Sequence, residues 1–272
     1  MKKIIGLLFS ITLVVSLVAC SGNNKSDSGN DESLNYILEK GEFVLGLDDS
    51  FPPMGFRDEE DNIVGFDIDL AEAVAKKLGV KLVIQPIDWT AKEEELNTKN
   101  IDCIWNGFSI NEERLEQVTM SKPYLGNTIS FVVVNDNSIE TVDDMVGKRL
   151  AVQSGSSAED ALDLDDNKEL KDSLAEINAF ATYETALLDL ETGNSDAVLM
   201  DSVVANYMIY EVGKDFIILD ESLVAEEYGI GFRKGEEALC AAVEDALSEL
   251  KGEGVIEEIS TKWFGSDITL IQ

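Results

Sequence analysis

The chain contains no histidine. That excludes acid/base catalysis through imidazole and metal sites built on histidine. Positive charge is scarce as well. Lysine and arginine number 21 against 54 aspartates and glutamates, a formal charge of −33 at pH 7. Nucleic-acid phosphates would be repelled by such a surface. There is no Gly-Lys-Ser/Thr phosphate loop and no nucleophile elbow. Asp163, Asp165 and Asp166 lack the rest of a twelve-residue calcium loop. Paired carboxylates are plentiful, but nothing in the sequence sets one apart as a general acid. Neither a cofactor nor a resident metal is expected. The acidic residues recur in separate clusters at 58–61, 93–95 and 163–166 rather than in one tail, which reads as solvated acidic faces.

Cysteine is limited to three residues, and long apolar runs to one. That run, Ile4 through Leu17, follows Lys2 and Lys3 and is too short for a spanning helix. A basic start, an apolar stretch and a small residue before a cut describe a secretory signal peptide over residues 1–19. The junction Leu17-Val18-Ala19-Cys20 resembles the lipobox of bacterial lipoproteins. This resemblance implies that Cys20 carries a diacylglyceryl group and becomes the mature N-terminus. Residues 20–33 are mostly Ser, Gly, Asn, Asp and Glu, a composition suited to a flexible tether. The remaining Cys103 and Cys240 sit in apolar surroundings; they could pair in an oxidising compartment or stay as buried thiols.

About 240 residues remain for a folded body, enough for one large domain or two medium ones. Their patterning alternates between strand and helix. An apolar strand at 42–47 precedes a loop forced by Pro52 and Pro53. Leu70, Val74 and Leu78 make a helical stripe that Gly79 stops. Strands follow at 81–87 and 102–105, and Asn111 is placed to cap a helix through Val118. A second unit opens with the strand 129–134. It continues with strand 148–152, a helix capped by Ser157 through Leu164, a helix from Tyr183 to Glu191 capped by Thr182, and strand 197–200. Separate strands are expected at 216–219 and 228–232, then two closing helices near 236–250 and 254–263. The pattern is α/β with a mostly parallel sheet.

Several ordered motifs now carry a resemblance. They are Asp48-Asp49-Ser50-Phe51-Pro52-Pro53-Met54, Gly65-Phe66-Asp67-Ile68-Asp69-Leu70-Ala71, Trp105-Asn106-Gly107-Phe108-Ser109 continuing to Arg114, and Ser121-Lys122-Pro123-Tyr124. Gly147-Lys148-Arg149-Leu150-Ala151-Val152-Gln153 leads to Gly155-Ser156-Ser157, and Asp196-Ala197 leads to Asp201. In this order the chain resembles the bacterial polar amino-acid solute-binding proteins of ABC importers, from about Gly41 to Gly265. The resemblance implies a two-lobed, periplasmic-binding-protein-like clamshell with a ligand cleft between lobes. Lobe one is then 34–127 plus 226–272, and lobe two is 128–225.

The same resemblance supplies roles for residues. Arg114, near a helix start where a cation opposes the helix dipole, would fork onto a ligand carboxylate. Ser157 would give the other lobe's contact to that carboxylate, at a helix start after a glycine turn. Asp201 would pair with the α-ammonium, helped by Gly107 and Ser109. Phe51 and Trp89 would flank the ligand side chain. Asp48 and Asn106 would receive its tip. Ala158 stands where some relatives have a larger polar residue. The implied function is capture of a free polar amino acid, a basic one favoured, for delivery to an ABC permease, without catalysis. Glutamine or cystine as ligand, a sensory module and a dehydratase-like enzyme are the alternatives. A monomer, held to the cell membrane by its lipid on the extracellular face, completes the expectation.

Overall fold

The computed structural model describes residues 31–136 and 138–272. The expected signal peptide, Cys20 and the tether as far as residue 30 lie outside the described residues. Asp31 and Ser33, at the tether's expected end, are tied down: Asp31 accepts the Ala238 N–H and Ser33 Oγ accepts the Leu239 N–H at 3.0 Å. Among the described residues no helix is long and apolar enough to cross a membrane.

Among the described residues twelve strands form: β1 (Glu42–Leu47), β2 (Ser50–Phe51), β3 (Gly55–Arg57), β4 (Ile63–Val64), β5 (Lys81–Pro86), β6 (Cys103–Ser109), β7 (Val118–Met120), β8 (Leu125–Val134), β9 (Arg149–Gln153), β10 (Glu176–Phe180), β11 (Ala197–Asp201) and β12 (Phe216–Arg233). The helices begin with α1 (Ser33–Lys40), α2 (Phe66–Leu78), α3 (Lys92–Asn97), α4 (Glu112–Gln117) and α5 (Ser157–Ala161). They continue with α6 (Lys168–Ser173), α7 (Tyr183–Glu191), α8 (Ser202–Tyr210), α9 (Glu237–Gly252) and α10 (Val255–Phe264). The main sheet runs β10-β9-β11-β8-β12-β6-β1-β5, with β7 beside β12, and β2-β3-β4 form a small separate sheet.

The sheet is mixed, not mostly parallel. Pairs β1/β5, β1/β6, β9/β10 and β9/β11 are parallel, as helical crossovers require. Strands β8 and β12 instead run antiparallel to each other and to β11 and β6. These two long strands join two α/β halves. One end of β8 lies against β11, and the last part of β12 lies against β6. The two segments expected as separate strands, 216–219 and 228–232, belong to one strand of 18 residues whose register is irregular between Ile218 and Val224.

Alternation along β8 explains how each half packs. Ile129, Phe131 and Val133 enter a core whose buried members all come from residues 129–219, with Leu150, Val152, Ala197 and Leu199. Val132 faces the opposite side and joins the larger core around Phe43, Leu45, Trp105 and Tyr228. On α2, Leu70 and Val74 are fully buried as the four-residue spacing predicts, and Leu78 is half-buried at the end. Gly79 closes that helix at φ +75°, with Lys76 and Lys77 in the last turn. Cys103 on β6 and Cys240 on α9 are both buried and unpaired, which resolves the two readings in favour of free thiols.

Candidate functional site

Seven expected site residues meet around one small cavity between the halves: Phe51, Trp89, Gly107, Ser109, Arg114, Ser157 and Asp201. Gln153 and Ser156 complete the lining. The cavity's free volume is about 10 Å³, room for about one water molecule.

Arg114 is positioned by its own helix. The Asn111 side chain caps α4 by accepting the Arg114 N–H at 2.8 Å. The guanidinium then folds back, 4% exposed, with its carbon 4.4 Å from the Phe108 ring centre. Nη1 donates to the Ser109 carbonyl at 3.0 Å and Nη2 to the Gly155 carbonyl, across the cleft, at 3.4 Å. Among the described residues no carboxylate oxygen lies within 4 Å of it. A buried, planar, five-donor cation held only by neutral carbonyls is suited to an incoming carboxylate.

Opposite it, β9 ends at Gln153 and turns through Gly155 (φ +69°). The cap of α5 is Ser156, not Ser157: its Oγ accepts the Glu159 N–H at 3.2 Å. Ser157 is the first helical residue, and its Oγ stands 3.0 Å from Ser109 Oγ. The helix has only five residues and ends at Ala161, short of Leu164, so its dipole contributes little.

Asp201 occupies the end of β11 and is 3% exposed. It stands at the start of α8 but makes no cap bond there. Its Oδ1 accepts from Asn127 Nδ2 at 2.7 Å and Tyr228 Oη at 2.6 Å, and its Oδ2 from Tyr183 Oη at 3.0 Å. Burial, reinforced by the nearby Glu226 charge, raises its pKa to about 6. The same burial pushes both tyrosine hydroxyls well above their ordinary range.

Gly107 lies in β6 with φ +56°. A Cβ there would stand 2.7 Å from Phe51 Cε1 and 3.2 Å from the Tyr228 ring, so only glycine fits. Its N–H donates at 2.8 Å to Asp67 Oδ2, which also accepts from Tyr124 Oη at 2.9 Å. Asp67 comes from the Gly65-Phe66-Asp67 motif and is wholly buried, which raises its pKa to about 7. Phe51 and Trp89 are 6% and 8% exposed; Trp89 meets Phe108 edge to face.

Asp48 and Asn106 are buried beside the cavity, Asp48 against the lining residue Gln153. Asn106 Oδ1 accepts the Asp48 N–H at 3.0 Å, which fixes the loop before Phe51. Asp48 accepts from Ser50 on one oxygen and from Gln153 Nε2, at 2.7 Å, on the other. Burial raises its pKa. Ala158 is fully buried in the core beside Leu150 and Val152 rather than in the cavity.

Three residues escaped sequence reasoning. Gln153 bridges to Asp48 across the cleft; it closed a quoted motif, and its strand-end position was the available signal. Lys92 reaches the Gly155 carbonyl at 3.1 Å while lying 5.2 Å over the Trp89 ring and 3.2 Å from Glu93. Its pKa is lowered by burial and then by Arg114. Glu226 accepts from Ser109 Oγ at 2.7 Å and Ser157 Oγ at 3.0 Å. In a continuous β12 it shares the face of Tyr228, a period-two signal lost when the strand is read as two pieces. Among the described residues no cluster of three metal-binding side chains is present.

Known proteins match nearly the whole chain in sequence and fold. The L-cystine-binding protein TcyJ of Escherichia coli K12 is 30% identical over 94% of each chain. The arginine-binding extracellular protein ArtP of Bacillus subtilis is 31% identical over 97% of this chain and 98% of its own. A substrate-binding protein of an ABC uptake transporter from Streptococcus pneumoniae, solved with bound histidine, superposes with a TM-score of 0.84 at 38% identity, over 89% of this chain and 99% of its own. The match to the bacterial extracellular solute-binding proteins, family 3, runs from residue 43 to 266, and the chain belongs to that family of two-lobed, non-catalytic binding proteins.

Proposed function

We propose that this chain captures a free polar amino acid, a basic one first, and hands it to the permease of an ABC importer. One observation carries the reading. A carboxylate-seeking Arg114 and an ammonium-seeking Asp201 come from opposite halves and line the same small cavity. A zwitterion needs both, and a peptide would misplace one of its charges. Phe51 and Trp89 offer faces to an aliphatic stem or a guanidinium.

The preference for a basic ligand rests on charge. Asp48, Asp201 and Glu226 are half-buried or buried around the cleft, against Arg114 and a Lys92 already paired with Glu93. A cationic side chain would offset that excess. Among relatives, one is an arginine-binding protein, one holds histidine and a further solved relative at 32% identity holds L-arginine, while another is a cystine-binding protein.

In this reading residues 34–127 with 226–272 form one lobe and 128–225 the other, and β8 and β12 are the segments about which they close. Cys20 carries the lipid that keeps the protein, as a monomer, on the outer face of the cell membrane. A thermal-shift screen against the twenty amino acids, cystine and ornithine tests the ligand. Arginine or lysine at 100 times its Kd should add about 2.7 kcal/mol. No stabilisation by any of them would refute amino-acid capture, and tight glutamine or cystine binding alone would overturn the basic preference. Labelling with a palmitate analogue tests the anchor: label that persists in Cys20→Ala would remove it.

A further inference from the structure

The strands that join the two halves carry polar side chains that bond to residues of the cavity wall. Asn127 of β8 and Glu226 of β12 are direct register partners. Glu226 Oε2 accepts from one serine of each half, Ser109 at 2.7 Å and Ser157 at 3.0 Å. Asn127 Nδ2 lies 2.7 Å from Asp201 Oδ1 and 3.5 Å from Glu226 Oε2, so a single amide touches both carboxylates.

We propose that Glu226 is a second carboxylate for the ligand's α-ammonium, acting beside Asp201 at the amine end of the cleft. This rests on the amino-acid reading above. Every hydrogen-bond donor to the two carboxylates is neutral: Ser109, Ser157, Asn127, Tyr183 and Tyr228. Among the described residues no lysine or arginine nitrogen comes within 4 Å of either. Arg114 acts on Glu226 at longer range, with its own donors turned to the Ser109 and Gly155 carbonyls. That leaves the guanidinium for the ligand carboxylate and two anions sharing a neutral amide for the amine. An ammonium has three N–H donors, enough for one bond to each carboxylate and one to Ser109 Oγ. Like charges held this close repel until a cation joins them, so the pair selects for a free α-amine.

The test uses L-arginine, or whichever amino acid binds tightest in the screen, together with its α-hydroxy acid, which keeps the shape and lacks the amine. Calorimetry gives both affinities for the wild-type protein and for Glu226→Gln. The variant should bind the amino acid at least about tenfold more weakly (about 1.4 kcal/mol), and the ratio of amino-acid to hydroxy-acid affinity should fall by the same factor. Glu226→Asp keeps the charge and should retain more of that ratio. A melting curve establishes that each variant is folded. A ratio unchanged in Glu226→Gln would make Glu226 a structural crossbar between the serines, and tighter amino-acid binding would make it a competitor for the site; either result overturns the proposal while leaving amino-acid capture standing. A wild-type protein that binds no amino acid overturns both.

Discussion

Lowering the pH from 7 to 5 should weaken amino-acid binding through Asp201. Its pKa is raised to about 6, so the carboxylate an ammonium needs is mostly ionised at pH 7 and mostly protonated at pH 5. One titrating group gives roughly a tenfold loss of affinity across that interval, about 1.4 kcal/mol. Glu226, also raised by burial, adds in the same direction. The amine of arginine or lysine keeps its charge throughout, so the ligand does not mask the effect. The stability of the ligand-free fold moves the other way. A carboxylate whose folded pKa exceeds its unfolded 3.8 costs stability in full above about pH 6, and that cost is gone below about pH 3.8. From this group alone the fold gains about 1.4 kcal/mol between pH 7 and pH 5, so weaker binding at pH 5 is not unfolding. Calorimetry at pH 5, 6, 7 and 8 reads the affinity, and a second buffer of different ionisation enthalpy reads the proton released on binding near pH 6. Asp201→Asn should bind weakly with a flatter profile. Constant wild-type affinity from pH 5 to 7, or the same slope in Asp201→Asn, would refute the reasoning.

Arg114→Ala should lose about 30-fold to several thousand-fold in affinity, the roughly 2–5 kcal/mol of an unpaired desolvated charge, with the melting temperature nearly unchanged. Arg114→Lys should recover only part of it, because the fork is lost. Gly107→Ala forces a positive φ and a 2.7 Å approach to Phe51; about 1 kcal/mol or more of stability should go, and binding should weaken because the ring must shift. Asp102 is fully buried and holds Lys40 Nζ and the Val44 N–H, each at 2.8 Å, with Arg233 at 3.5 Å. Asp102→Ala strands those partners and should lower stability by about 3–5 kcal/mol in denaturant titration, whereas a loss below about 1 kcal/mol would mean that water replaces the carboxylate.

Local signals made much of this fold legible. Thr182 caps α7 as its position suggests, and Asn111 caps the helix that carries Arg114. The closing helices α9 and α10 lie within a few residues of their expected spans. What escaped depends on distant partners. Asp220 to Ser222 and Glu226 to Glu227 interrupt the apolar period of β12, and only its pairing with β8 keeps it one strand. Strands β2 to β4 have two or three residues each, too few for a period to show. Ser156 and Ser157 are equally good caps on paper, and the turn geometry chooses the first. The bond from Gln153 Nε2 to Asp48 joins residues 105 positions apart, which no local motif shows. Cys103 and Cys240 fall on different elements, which spacing cannot reveal.

The placement of β12 also sets an order for biosynthesis. One core draws its buried members only from residues 129–219, a continuous stretch that can condense before the rest of the chain is made. The strand that presents Gly107 and Ser109 has no such independence. Every residue of β6 is buried, and one of its edges pairs with β12 at Cys103, Ile104, Phe108 and Ser109. Until residues 228–232 emerge, that edge is an apolar row of unsatisfied backbone groups open to any other strand. The last strand is therefore the seal on that edge, and a nascent chain truncated before Tyr228 would leave it unprotected.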